Sequence, residues 1–197
     1  MCEQNDRYAH VIAVTNRSLS ARPFLEQISR ICSVRPRALV LREKDLSEED
    51  YLALAAEVNR ICSSACVRLI LHKYRNAAET LEIRRIHLSL ADLEAMQRSG
   101  GRSAGFFEEI GCSVHSVEEA LLAWQLGADY LFAGHIYRTD CKRGLPPRGL
   151  EFLEEVCGAV RIPVYAIGGI HPDDGRIREV MNAGAAGACI MSAMMRL

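Results

Sequence analysis

Eight short apolar runs recur along the chain, and an amphipathic stretch follows nearly every one. The runs are His10–Thr15, Ala38–Leu41, Val67–Leu71, Arg85–Leu90, Gly111–His115, Tyr130–Ala133, Val164–Ile167 and Ala188–Met191. Between them, helical patterns cover Pro23–Cys32, a stretch opening at Ser47 and running to Cys62, Ala77–Glu82, and Leu93–Arg98. Further helical patterns run from Ser116 to Leu126 and over Leu150–Ala159 and Arg176–Asn182. Ser47 and Ser116 each precede acidic residues in the manner of a helix N-cap, and Gly127 closes the helix that Ser116 opens. Strands alternating with helices in this way form parallel βαβ units. Eight such units predict an α/β chain closed into a single (β/α)8 TIM barrel, with a doubly wound open sheet as the alternative. At 197 residues the chain is short for a barrel but right for one domain. Only a few residues follow the eighth run, so the last helix is expected to be truncated.

Composition narrows the partners. Lys and Arg number 24 against 25 Asp and Glu, a formal net charge of -1, so no basic footprint for nucleic acid is expected. No apolar run approaches the roughly 18 residues that span a bilayer. The first ten residues lack a basic region followed by an apolar one, so no leader is expected and a cytoplasmic location follows by default. The eight cysteines form no CxxC pair and mostly sit in apolar runs, as buried reduced thiols do. Cys62 and Cys66 are spaced to share a helical face, but no set with zinc spacing accompanies them. Assembly with further copies of the chain is left open.

Three segments carry chemistry. The seventh run ends in Gly168-Gly169, and the eighth is followed by Ser192. In a barrel the loops after these strands commonly bind phosphate through backbone N–H groups, which glycine lets approach closely. His135 stands at the C-terminal end of the sixth run, followed by hydroxyl and charged residues including Thr139 and Lys142. Histidine titrates near neutral pH and can take or give a proton, so its place at a barrel strand end makes it the candidate acid–base residue. The loop from Arg138 to Gly149 is long and rich in Gly, Pro and charge, as active-site lids are. Arg42 and Lys44 lie two apart after the second run, on one side of an extended segment, where they can hold a carboxylate or phosphate or simply form a solvated salt-bridge segment. His115 is placed to line a pocket, whereas His87 reads as a core residue and His10 and His171 as structural or loop residues.

The segments LREK (Leu41 to Lys44), HL (His87-Leu88), GCSVHS (Gly111 to Ser116), GADYLFAGHIYRTDCKRGLPPRG (Gly127 to Gly149) and IPVYAIGGI (Ile162 to Ile170) together resemble the family of thiamine phosphate synthase and thiazole tautomerase. The resemblance runs from Val14-Thr15 to Ser192-Ala193 and implies the (β/α)8 fold. It departs from the synthase branch in places. His135 stands where that branch has proline, Cys141 at its second threonine, and His72-Lys73 at its Asn-Asp pair, while Asp92 matches the second metal aspartate. The run Gly134-His135 to Thr139-Asp140-Cys141-Lys142, then Gly144-Leu145 and Arg148-Gly149, is similar to the tautomerase branch.

The resemblance therefore implies a thiazole tautomerase, an isomerase that needs neither metal nor cofactor. A base would remove the ring C2 proton of a thiazole carboxylate phosphate, and an acid would protonate the exocyclic carbon. His135 would be catalytic, Gly168, Gly169 and Ser192 would hold the phosphate, and Arg42, Lys44, Ser113, Thr139 and Lys142 would meet the carboxylate and the developing charge. The alternatives are a magnesium-dependent thiamine phosphate synthase and a non-catalytic thiazole-phosphate-binding regulator.

Overall fold

Polar and apolar residues do not alternate along the strands. All four residues of β1 (Val11–Val14) and of β2 (Ala38–Leu41) are buried, as parallel strands covered on both faces require. The computed structural model describes residues 7–100, 105–139, 144–172 and 175–197. The remaining strands are β3 (Arg68–His72), β4 (Arg85–Ser89), β5 (Glu109–Val114), β6 (Tyr130–Gly134), β7 (Val164–Ile167) and β8 (Gly187–Ile190). They pair in sequence order as a closed barrel, the (β/α)8 arrangement expected from the alternation.

Helices α1 (Phe24–Ser33), α2 (Glu48–Ser64), α3 (Arg75–Thr80) and α4 (Leu90–Arg98) follow the first four strands. Helices α5 (Val117–Gln125), α6 (Gly149–Ala159) and α7 (Arg176–Asn182) follow the next three. A short 3-10 turn, Met194–Arg196, comes after β8. Ser47, Ser89 and Ser116 cap α2, α4 and α5, each side chain accepting a hydrogen bond from the backbone N–H three residues on. Each cap contributes about 1 kcal/mol by satisfying an otherwise orphaned donor.

The boundaries moved in two informative places. β5 begins at Glu109 rather than Gly111, because the Asp129 carboxylate accepts from the Ile110 N–H at 2.7 Å and anchors the earlier residues. Cys66 lies beyond the end of α2 with a φ of 55°, so it does not share a helical face with Cys62.

Backbone contacts group the chain into two compact units, Met1–Ile86 with Ile190–Leu197, and His87–Cys189. In the first, α1 packs on α2 with the Cys32 and Cys62 sulfurs 3.8 Å apart in the buried seam. Gln27, fully buried, donates to the Met194 carbonyl at 2.7 Å and fixes the terminal turn. In the second, β5, β6 and β7 run in register, with Gly111 opposite Tyr130, Ser113 opposite Phe132, and Gly134 opposite Ile167. Among the described residues no helix is long and apolar enough to cross a membrane.

Candidate active site at the strand ends

His135 directly follows β6, whose five residues are all buried. The backbone after it is held on both sides. Ile136 and Tyr137 donate to the carbonyls of Ile167 and Gly168 at 2.9 and 3.1 Å, and Arg148 and Gly149 donate to those of His135 and Ile136 at 3.0 and 3.1 Å. The Gly134–His135 peptide is cis. The imidazole is only 6% exposed, and neither ring nitrogen has a hydrogen-bond partner among the described residues. Leaving a buried donor or acceptor unpaired costs about 1–3 kcal/mol, so such groups mark places where a ligand or water completes the bonding.

The turn after β7 packs against this histidine. Gly168 has a φ of 104°, and a Cβ there would overlap the His135 Cβ and lie 2.9 Å from its Cα. Gly169, with a φ of 70°, sits equally close to Tyr137, 2.8 Å from a Cβ to the tyrosine Cβ. The Arg176 side chain donates to the Gly169 carbonyl and stacks its guanidinium 4.6 Å from the centre of the Tyr137 ring. Tyr137 in turn donates to Glu179 at 2.6 Å, so α7 holds the segments after both β6 and β7. The structure thus brings His135, Gly168 and Gly169 together, as expected from their strand-end positions.

Ser113 lies in β5, half-buried, with its hydroxyl 2.8 Å from the His87 Nε2. The His87 Nδ1 is 3.2 Å from the Tyr130 hydroxyl. His87 is buried as its run suggested, but this polar link among three strands was not legible from any one of them.

At the ends of β1 and β2 the buried group is Glu43, 2% exposed, between the half-buried Arg42 and the exposed Lys44. Glu43 accepts from the Thr15 hydroxyl at 2.6 Å and from the Arg17 N–H at 3.1 and 3.0 Å. Thr15 also accepts from the Arg42 N–H at 2.9 Å. The Arg17 guanidinium pairs with both oxygens of Asp45, at 2.9 and 2.7 Å. Arg17, Arg22, Arg42 and Lys44 line a cavity of about 600 Å³ here. The segment read from sequence as two cations therefore also carries the carboxylate that joins the two strand ends.

Burial is the main influence on Glu43 and raises its carboxyl above the usual range, against the lowering effect of the Thr15 and Arg17 hydrogen bonds. The folded state then holds this proton at pH values where the unfolded chain has released it, so stability falls as pH rises through that interval. Glu43→Gln should flatten this part of the urea-midpoint profile between pH 4 and neutrality, and an unchanged slope would place the proton elsewhere.

Thr139 is half-buried after β6, Ser192 is half-buried two residues beyond β8, and Lys142, like Cys141, lies outside the described residues. His115 instead faces Glu119, its Nδ1 3.4 Å from that carboxylate.

The magnesium expected of the synthase branch needs hard oxygen ligands. The pair at the end of β3 is His72-Lys73, with the Lys73 ammonium 5.3 Å from the centre of the Tyr74 ring. One oxygen of Asp92 accepts from the Ser89 hydroxyl at 2.6 Å, and Ser89 accepts from the Asp92 N–H, the reciprocal arrangement of a helix cap. Among the described residues no group of three or more His, Cys, Asp or Glu is placed to hold a metal ion. These residues do not fit a two-carboxylate magnesium cage.

A family model described as thiamine monophosphate synthase matches residues 11–194. Thiamine-phosphate synthase of Coprothermobacter proteolyticus is 31% identical over 88% of this chain and 80% of its own length. That of Syntrophomonas wolfei is 31% identical over 92% of this chain and 86% of its own length. The solved structure of thiamine phosphate pyrophosphorylase from Pyrococcus furiosus superposes with a TM-score of 0.78 at 28% identity, covering 96% of this chain and 89% of that one. These relatives bear the names of transferases, which overturns the expectation of an isomerase, the thiazole tautomerase. That expectation weighed a few loop side chains, His135, Lys73 and Cys141 among them, whereas the match to the synthases spans nearly all the strands and helices. With the match covering all eight strands, the chain belongs to the thiamine monophosphate synthase family and to thiamine biosynthesis.

Proposed function

We propose that this protein is a transferase that joins a thiazole phosphate to a pyrimidine diphosphate. The thiazole ring nitrogen forms a bond to the pyrimidine methylene carbon. The carbon–oxygen bond to the diphosphate breaks, and the diphosphate leaves with the bonding pair. The products are thiamine phosphate and inorganic diphosphate. The observation that carries this reading is His135, buried with both ring nitrogens unpartnered and packed against the Gly168–Gly169 turn. A small polar ligand completes that site, and membership of the synthase family supports a thiazole phosphate as that ligand.

In this reading His135 touches the thiazole phosphate, and Gly168, Gly169 and Ser192 hold its phosphate through backbone N–H groups and a hydroxyl. Arg42 and Lys44 meet the diphosphate charge, and Ser113, Thr139 and Lys142 are the remaining substrate contacts. No step is assigned to a metal, because the residues at the magnesium positions do not fit one.

The test is a coupled measurement of thiamine phosphate and diphosphate from the two substrates, across a magnesium titration that includes a chelator. Equimolar appearance of both products supports the reading. Substrate binding with no product at any magnesium concentration contradicts it.

A further inference from the structure

The proton order of the Tyr130–His87–Ser113 chain follows from what each group does best. A phenol delocalises an oxygen lone pair into its ring, so it donates better and accepts worse than an aliphatic hydroxyl. An imidazole's unprotonated nitrogen is a strong acceptor, and its other nitrogen is then obliged to donate. The favoured order is therefore Tyr130 O–H to the His87 Nδ1 (3.2 Å), then His87 Nε2–H to the Ser113 Oγ (2.8 Å). In the reverse order Tyr130 would accept and Ser113 would spend its proton on His87.

The surroundings hold this chain rigid. The His87 ring stacks on Phe132 with centroids 4.0 Å apart and planes 27° apart, and it is 2% exposed. Tyr130 is 3% exposed and meets Tyr165 edge-on at 6.1 Å. Its ring fills the space that only the missing side chain of Gly111 leaves, since a Cβ there would overlap the phenol. Such a network is more than packing when its last member reaches beyond it, and Ser113 is the half-buried one.

We infer that Tyr130 and His87 form a one-way hydrogen-bond relay that fixes the Ser113 hydroxyl as a donor. Ser113 then selects a substrate presenting an acceptor at that point, a ring nitrogen or an anionic oxygen, and disfavours one presenting a donor. Tyr130 and His87 are positioning residues that act through Ser113. The substrate part rests on the proposed function, while the relay itself does not.

Two measurements separate these. In protein labelled with 15N-histidine, long-range 1H–15N spectra should show His87 protonated at Nε2. Tyr130→Phe, which removes one oxygen, should shift His87 towards a mixture of tautomers while leaving the melting curve cooperative. Ser113→Ala should weaken thiazole phosphate binding about tenfold, the scale of one lost hydrogen bond, and Tyr130→Phe by a smaller factor set by the fraction of His87 still protonated at Nε2. The double variant should bind no worse than Ser113→Ala, since both act on one bond, and Ser113→Thr should restore affinity. His87 protonated at Nδ1, or a tautomer unmoved in Tyr130→Phe, overturns the relay. Additive losses in the double variant overturn the action through Ser113. If the spectra agree but no coupling product forms, the relay stands and the synthase reading falls.

Discussion

Replacing His135 by leucine should raise the melting temperature of this protein and remove most of its product formation. The opposite signs come from one cause. The imidazole is buried with both nitrogens unpartnered among the described residues, so no bond from those residues offsets its desolvation. Leucine is apolar and close in volume, and replacing such a group should stabilise by about 1 kcal/mol, a rise of about 2–4 °C for a chain of this size. Hydrogen bonds to a charged substrate are worth about 1.5–3 kcal/mol, so kcat/KM should fall about 10- to 100-fold. A side chain that served only packing would move both quantities down. A melting temperature that falls together with activity would therefore remove His135 from the site and return it to the core.

Gly168→Ala should have the second large effect, lowering stability and activity together. The added methyl collides with the His135 Cβ, and the backbone already sits at a φ of 104°. Overpacking costs about 1–3 kcal/mol, and a left-handed backbone adds roughly another 1 kcal/mol for a residue with a side chain. The collision also pushes His135 from its place, so substrate affinity should fall with stability. Gly105→Ala, between α4 and β5, is the control, because its φ is 67° and nothing lies within 4 Å of the new methyl. It should cost about 1 kcal/mol, with activity kept. Equal losses of stability in the two variants would assign the Gly168 effect to backbone strain alone.

The fold was legible because the strands of a parallel barrel are buried on both faces. Runs such as ALVL and VYAI are apolar throughout, and capping serines mark where several helices begin. Position along the strand made His135 and the Gly168–Gly169 pair legible too, since strand ends carry the chemistry in this architecture. Glu43 was harder, because a charged residue between Arg42 and Lys44 reads as a solvated segment. Its burial depends on Thr15, 28 positions away. The Tyr130–His87–Ser113 chain is also non-local, drawn from three strands. Its nearest sequence signal is Gly111, a glycine inside a strand, which marks the close approach of the Tyr130 ring. The reaction class was misread because the two branches share a scaffold, and a few loop residues outweighed the similarity spread over the rest of the chain.

The placing of the site turns on whether the unpartnered imidazole meets the ligand. Thiazole phosphate is titrated into protein labelled with 15N-histidine, with His135→Leu identifying the His135 signals and calorimetry measuring binding on the same samples. The His135 ring nitrogens should shift saturably, following the calorimetric curve. Thiazole phosphate that binds by calorimetry while the His135 signals stay fixed would place its binding site away from His135.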